Sequence, residues 1–423
     1  MIASPQKKKR SAELTPATTA PVETSTTSST TGATASPAAA RAAALSSIAV
    51  FVNPGSGGGQ GHDIAARLSR LLEPNRVFLI GAPDNLPEHG LQRFLDVPNL
   101  RVLVAGGDGT VNWVLNSMAK VAFASPPPVG VLPLGTGNDL ALSLGWTGID
   151  GSDNLDDDLL AILVEMAGAE VIEMDRWLVH VDGDGAALPD GSNDVSMTNY
   201  CSLGVDSQVA LKFHELRQSH PELFISRSAN RAYYALLGFT TMFDGIDCLR
   251  QHARVFCDDV EIDLPETIAG IVIMNIPSYA GGACLWGDDD DDDDGGDDDS
   301  DDDDNDGGDG GDGGNDHGAR RATRSRKHFV EPSVGDGLLE VVGVTSSAHM
   351  GLISVHLANA IRLAQCSRMR VEFTSTLPFQ VDGEPHMRPK STLTVNRLPQ
   401  RVPMLLRSQP DDSDDEKNNH QPL

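Results

Sequence analysis

Three glycine-rich stretches, two of them carrying an aspartate, hold most of the chemistry this chain could do. The first runs Asn53, Pro54, Gly55, Ser56, Gly57, Gly58, Gly59, Gln60, Gly61; the second Gly106, Gly107, Asp108, Gly109, Thr110; the third Gly135, Thr136, Gly137, Asn138, Asp139. Glycine lets backbone N–H groups come close to phosphate oxygens, and a helix opening at such a turn adds a partial positive charge. Three turns of this kind together suit a triphosphate. Asp108 would repel a phosphate unless a cation such as Mg2+ lies between them, so its place in the second loop favours a metal-nucleotide site over a plain turn. No GxxxxGK is present, which excludes a P-loop, and Gln60 stands where the dinucleotide pattern GxGxxG needs its last glycine.

The elements that must hold these turns are readable from periodicity. Residues 48–52, 77–80, 101–105 and 129–134 are short β-branched or leucine-rich runs that end in Gly, Asn or Pro, and they read as strands. Between them Ile64, Leu68, Leu71 and Leu72, then Val111, Val114, Leu115 and Met118, recur at helical spacing. Strands alternating with helices predict a mostly parallel sheet with both faces covered, and ligands of such sheets sit beyond the carboxyl ends of the strands. After about residue 148 the alternation stops. A helix over 159–166 is followed by strand-like runs at 176–181, 198–203, 253–257, 270–274, 338–344, 369–374 and 392–396, with helical patterns at 209–217 and 348–364. The expected fold class is therefore α/β: an N-terminal three-layer nucleotide-binding domain followed by a β-rich, sandwich-like domain. Residues 182–194, full of Gly and Asp, read as an enlarged surface turn.

Length and charge bound the rest. The chain has 423 residues and a formal net charge of −29, but 18 aspartates lie between Asp288 and Asp316, and the tail from Ser408 carries five acids against one lysine. The remaining chain bears an ordinary load, so the headline figure describes an insert. Five cysteines with no CxxC spacing indicate neither a disulfide framework nor a zinc ribbon, and no apolar run of 18 or more residues exists to span a bilayer. Residues 1–46, rich in Ala, Ser, Thr and Pro, are expected to be disordered. Their Lys7, Lys8, Lys9 and Arg10 are candidates for a nuclear import signal or a contact with anionic lipid. The acid run weakly imitates EF-hand loops, yet its twelfth positions are wrong, and it reads as a solvated loop.

The motifs VAGGDGTVN (104–112), LPLGTGNDLA (132–141) and VNPGSGGGQG (52–61) resemble the catalytic domain of the diacylglycerol kinases. GGDGT alone would be shared with NAD, sphingosine and ceramide kinases. The narrower resemblance lies in the second half: 199–234, NIPSYAGG with LWG (275–287), DGLLEVVGV (336–344) and QVDGEP (380–385) are similar to the accessory domain of the eukaryotic-type enzymes. The implied organisation is a catalytic domain over 47–148 and an accessory domain over 149–407, with an acidic then basic disordered insert at 288–328, an acidic disordered tail at 408–423 and an ATP site in the interdomain cleft. The implied activity is Mg2+-dependent transfer of phosphate from ATP to the primary hydroxyl of diacylglycerol at a membrane surface. That points to a cytoplasmic, peripherally membrane-associated protein with no nucleic-acid partner, and nothing in the sequence speaks to its oligomeric state.

Residue by residue, the resemblance assigns Glu384 of the DGE motif as the base that accepts the hydroxyl proton. Taken alone, Asp382, Gly383 and Glu384 could equally be a hairpin turn. It also implies that Asn53, Pro54, Gly55, Ser56, Gly57, Gly106, Gly107, Asp108, Gly109, Thr110, Val111, Asn112 and Thr136 hold ATP. Asp108 would lie at the catalytic Mg2+ with Asp139 in the same network, and Ser333, Asp336 and Leu338 match the SxxDGx spacing of a second, structural Mg2+ site. The chain departs from the family pattern at Gly55, often lysine, at Leu142, commonly arginine, and at His386, frequently tryptophan. Arg320, Arg321, Arg324, Arg326 and Lys327 could touch anionic headgroups or neutralise the neighbouring aspartates. Two other readings stand beside this one: a sphingoid-base or ceramide kinase, and a catalytically weak scaffold whose acidic loop binds basic partners.

Overall fold

The computed structural model describes residues 44–81, 83–135, 137–149, 154–183, 191–220, 248–287, 329–354 and 357–408. The N-terminal arm with Lys7 to Arg10, most of the turn at 182–194, Thr136, the acidic and basic insert and all but the first residue of the 408–423 tail lie outside the described residues.

β1 (Ile48–Val52), β2 (Val77–Leu79), β3 (Arg101–Gly106) and β4 (Val129–Pro133) are parallel neighbours in the order β2-β1-β3-β4. All five β1 side chains and all five of β4 are buried. Such strands need cover on both faces, which explains their unbroken apolar composition. The cover comes from α1 (Gln60–Leu71), α2 (Pro87–Leu91), α3 (Asp108–Met118), α4 (Asp139–Ser143) and α5 (Leu155–Gly168), with α1 packed on α5 and α2 on α3. Ile64, Leu68, Val111, Val114 and Leu163 join the strands in one apolar cluster.

This sheet does not end near residue 148. β5 (Glu170–Met174) lies at its edge, antiparallel to a strand from the far end of the chain, which inserts between β4 and β5. The second lobe lies between these two strands in sequence. Its elements are β6 (Trp177–Asp182), β7 (Asp194–Met197), β8 (Tyr200–Gly204), α6 (Val205–Ser219), β9 (Ala253–Cys257), β10 (Val260–Glu261), β11 (Gly270–Met274), β12 (Ser278–Tyr279), β13 (Ala283–Cys284), β14 (Leu339–Val344), α7 (Ser347–Ser354), β15 (Ile361–Cys366), β16 (Arg368–Phe373), β17 (Leu377–Val381), β18 (Glu384–Arg388) and β19 (Thr392–Arg397). The chain then returns to the first sheet as β20 (Val402–Leu406). Asp175 clamps this junction: its carboxylate accepts from Gly337 N at 2.7 Å and Arg401 Nε at 2.9 Å, with Arg397 at 3.6 Å.

Two antiparallel six-stranded sheets, β10-β9-β16-β19-β6-β7 and β15-β14-β11-β8-β17-β18, face each other as the expected sandwich. β6 shows why: Trp177, Val179 and Val181 point inward and are fully buried, while Leu178, His180 and Asp182 alternate outward. They meet Leu203, Ile271, Ile273, Val341 and Phe379 of the opposite sheet. On the other face of that sheet, Val272, Met274, Val342 and Val344 pack with Tyr200, Tyr279, Trp286 and Ile353. The helix expected over 348–364 is shorter than its apolar pattern suggested. Its described part is Ser347–Ser354, and residues from Ile361 onward pair with β14 as β15, with a register shift at Val341/Val342.

Candidate active site

The three glycine turns follow β1, β3 and β4, at the carboxyl ends of adjacent strands, and they touch one another. Asn53 Nδ2 donates to Thr110 Oγ1 at 3.0 Å, and its Oδ1 accepts Gly55 N at 3.0 Å, so one side chain ties the first loop to the second. Asp108 N donates to Gly137 O at 3.1 Å, joining the second loop to the third. A Cβ on Gly135 would stand 2.7 Å from the Gly107 Cα, so glycine is required there because two backbones meet. Gly57, Gly58 and Gly59 have φ of 64°, 69° and 94°, a left-handed run that turns the first loop back over the sheet before α1 begins. Beside this loop, Pro54, His62, Leu79, Ile80, Gly81, Asp84 and Asn85 line a hollow of about 240 Å3. Apart from Pro54, these lining residues carried no motif in the sequence.

Asp108 opens α3, and its carboxylate accepts from Asp139 N at 2.9 Å and Leu140 N at 3.3 Å. Burial pushes its carboxyl up to about 7, the Asp139 charge adds to the push, and the two N–H bonds oppose it. The charge of Asp382 acts on it in the same direction, so the tip of the β17–β18 hairpin lies within electrostatic reach of the second loop. A carboxylate strained in this way among acids is a natural seat for a cation. Among the described residues, however, no group of three or more His, Cys, Asp or Glu is arranged to hold a metal.

Asp139, expected in the metal network, is held by protein donors. It is 1% exposed, and its oxygens are taken by four donors: Tyr200 OH at 3.0 Å, Ser278 Oγ at 2.9 Å, Gly281 N at 2.7 Å and Gly282 N at 3.2 Å. This carboxylate ties α4 to β8 and to the β12–β13 turn across the two lobes. Asn112 likewise serves as a tie. Its Oδ1 accepts from Arg176 at 2.8 Å and Thr198 Oγ1 at 3.1 Å, and Arg176 reaches on to Asn116 at 2.7 Å. Val111 is buried in the core and its N–H is bonded to Gly107 O, so its side chain cannot line the cradle.

Glu384 stands at the first position of β18. The turn before it has φ of 46° at Asp382 and 83° at Gly383, the conformation of a tight hairpin turn, with Val381 paired to Glu384. The hairpin reading and the functional reading are thus compatible. Asp382 is the anchor: its carboxylate accepts Thr198 N and Asn199 N at 2.8 Å and Tyr200 N at 3.1 Å, and Gln380 Oε1 accepts Gly383 N at 2.7 Å. Burial pushes the Asp382 carboxyl above its ordinary range, although the three N–H groups and the Arg176 guanidinium pull the other way. Trp177 Nε1 donates to Asn275 Oδ1 at 2.7 Å, and Asn275 Nδ2 donates to the carbonyls of Asp175 and Thr198, knotting the strands behind the turn.

Ser333, Asp336 and Leu338 belong to a different place. Asp336 and Leu338 line a polar cavity of about 760 Å3 with Asp258, Gly337, Ser367, Arg368, Asn396 and Arg397, and Asp336 Oδ1 accepts Leu338 N at 2.8 Å. Ser333 is exposed and does not line it. Several ties escaped the sequence reading as site residues: Arg176, Thr198, Tyr200, Ser278 and Asn275. Tyr200, Asn275 and Ser278 do sit inside the resembling segments, which is the signal that could have found them.

Residues 47–170 match the diacylglycerol kinase catalytic domain model, and residues 196–385 match the diacylglycerol kinase accessory domain model. The chain is 36% identical over 368 residues to human diacylglycerol kinase theta, which covers 85% of this chain and 34% of that protein. It is 35% identical over 374 residues to probable diacylglycerol kinase 3 of Caenorhabditis elegans, covering 86% of this chain and 44% of the relative. The chain therefore spans about a third to somewhat under half of the length of these relatives. A putative diacylglycerol kinase from Bacillus anthracis str. Sterne has the same fold, with a TM-score of 0.50 at 16% identity, covering 86% of this chain and 99% of that one.

Proposed function

This chain belongs to the diacylglycerol kinase family, and from that premise we propose that it transfers the γ-phosphoryl group of ATP to the primary hydroxyl of 1,2-diacylglycerol, yielding phosphatidate and ADP. The observation that supports this reading is the anchored Asp382–Gly383 turn directly before Glu384, together with the charge of Asp382 acting on Asp108. An alcohol is a poor nucleophile at neutral pH, so a positioned carboxylate is needed. The hydroxyl oxygen bonds to the γ-phosphorus as the bond to the β–γ bridging oxygen breaks. ADP keeps that electron pair, and the hydroxyl proton passes to Glu384.

The loops from Asn53 to Gly57 and from Gly106 to Thr110, with Thr136, would hold the phosphates. The hollow at Pro54, Leu79 and Ile80 offers an apolar wall for the base, with Asp84 and Asn85 at its edge. Mg2+ bound beside Asp108 would offset the phosphate charge, and one carboxylate suffices because this ion keeps water and phosphate ligands. A second cation would have Asp336 and the Leu338 carbonyl as its candidate ligands. Diacylglycerol stays in the bilayer, so the hairpin side of the cleft must meet a membrane surface; no helix among the described residues is long and apolar enough to cross one.

The test is labelled ATP with diacylglycerol, sphingosine and ceramide in mixed micelles, run for wild type and Glu384→Gln. We expect transfer to diacylglycerol, a loss of kcat of about 10²- to 10⁴-fold in the variant, and a KM for ATP within about twofold of wild type. Strong transfer to sphingosine with none to diacylglycerol, or wild-type turnover in Glu384→Gln, refutes the proposal.

A further inference from the structure

The carboxylate assigned as base has little to hold it still. Glu384 begins an edge strand of its sheet, directly after a two-residue turn, and its side chain is 67% exposed. A glutamate in that position loses turnover to rotamer freedom unless something limits where its oxygens point. Among the described residues, the one ion-pair or hydrogen-bond partner of this carboxylate is His214, whose Nδ1 lies 4.0 Å from Glu384 Oε2.

His214 comes from α6, which packs against both β17 and β18, so its ring is fixed to the same hairpin that carries Glu384. It is less exposed than its partner, at 26% for the side chain. One helical turn onward, Gln218 Nε2 stands 2.6 Å from the other ring nitrogen, His214 Nε2. With the Gln218 amide assigned in this orientation, its N–H donates to Nε2, which must then carry the lone pair. The ring proton therefore sits on Nδ1, the nitrogen that faces Glu384. Gln218, His214 and Glu384 form a file in which each member orients the next. At 4.0 Å the last step is an electrostatic restraint rather than a hydrogen bond, and catalytic contacts of this length commonly tighten when substrate is bound.

We infer that His214 is a positioning residue for Glu384: it biases the carboxylate toward the rotamer that meets the substrate hydroxyl, leaving the second oxygen to take the proton. This rests on the reading of Glu384 as the base. His214 does not touch the nucleotide cradle, so its contribution belongs to kcat rather than to ATP binding.

The experiment compares wild type with His214→Ala, His214→Asn, Glu384→Gln, Glu384→Asp and the His214→Ala/Glu384→Asp double variant, in diacylglycerol micelles with ATP varied. His214→Ala should lower kcat about 10-fold and leave KM for ATP within about twofold. His214→Asn, whose amide N–H occupies the place of Nδ1, should recover kcat to within about threefold of wild type. Glu384→Asp draws the carboxylate back by a methylene, so adding His214→Ala there should cost less than about twofold. Unchanged kcat in His214→Ala, an Asn variant no better than Ala, or the same 10-fold loss over Glu384→Asp overturns the inference. If His214→Ala proves poorly folded by thermal unfolding, the His214→Asn arm still decides, because a kcat more than about threefold below wild type in that variant overturns the inference. Wild-type turnover in Glu384→Gln would instead refute the base assignment itself, so the two failures are distinct.

Discussion

Asp139 offers the clearest quantitative test of how the two lobes are joined. Its carboxylate is 1% exposed and accepts from Tyr200, Ser278, Gly281 and Gly282, so removing it strands four donors at once. A buried donor left without an acceptor costs about 1–3 kcal/mol, and donors near the rim recover part of that from water. Asp139→Ala should therefore lower unfolding free energy by about 3–5 kcal/mol, the low end of the sum over four donors once that recovery is allowed for. Asp139→Asn keeps one carbonyl oxygen for Ser278, Gly281 and Gly282 and turns an amide toward the Tyr200 hydroxyl, which can accept; its cost should be about 1 kcal/mol. Urea titration reads both values, and turnover against Mg2+ concentration reads the alternative role. Because the buried carboxylate already takes four protein donors, three on Oδ1 and one on Oδ2, the Asn variant should show the same Mg2+ dependence as wild type. An Asn variant of wild-type stability that needs about 10-fold more Mg2+ would refute the reasoning and restore Asp139 as a metal ligand.

Other outcomes follow from the same contacts. Asp108→Ala should lose turnover at all accessible Mg-ATP concentrations by about 100-fold or more while retaining the fold, as judged by circular dichroism, because its buried carboxylate opens α3 within the second glycine turn. Glu340, 2% exposed on β14, has its carboxyl raised to about 7 by burial, opposed by the Gln365 bond and reinforced by Asp336. The folded state then holds a proton that the unfolded chain releases above about 4.5, so stability should fall as pH rises from about 4.5 to 7, by up to about 3 kcal/mol, and Glu340→Gln should remove that slope in urea titrations at several pH values. Trp286 and Phe329 meet edge to face at 5.1 Å, with Arg362 over Trp286, so the residues flanking the insert are already neighbours. Replacing residues 288–328 by a short Gly/Ser link removes 18 aspartates and five basic residues, taking the formal charge from −29 to −16. Thermal unfolding and turnover should be retained, and sedimentation with anionic vesicles should strengthen; loss of either fold or activity would show a role for the insert in the folded protein.

Much of the first lobe was legible in the sequence because its signals are local. A strand buried on both faces is an unbroken apolar run, as 48–52 and 129–133 are, and the glycines mark where loop backbones must meet or turn left-handed. The sandwich strands were legible where alternation is strong, as in β6 and β16. The failures were non-local. β20 contains Pro403 and closes the first sheet only because the chain returns past the whole second lobe to lie between β4 and β5. The stretch at 348–364 has apolar residues compatible with either period. Pairing with β14, a partner outside any local window, decided that its second part is a strand.

The same boundary runs through the active site. Residue type and spacing were enough to identify a glycine cradle, an acid within it and a glutamate after an Asp-Gly turn, since each is a short motif whose chemistry belongs to its own residues. Which donors each polar side chain meets was decided by tertiary structure. Asp139 and Asn112 read as ligands in sequence, yet chain from 60 to more than 140 residues away brings Arg176, Thr198, Tyr200, Ser278, Gly281 and Gly282 to their oxygens. A carboxylate or amide binds whatever donors folding delivers to it, and a sequence window cannot contain donors that arrive from the other lobe.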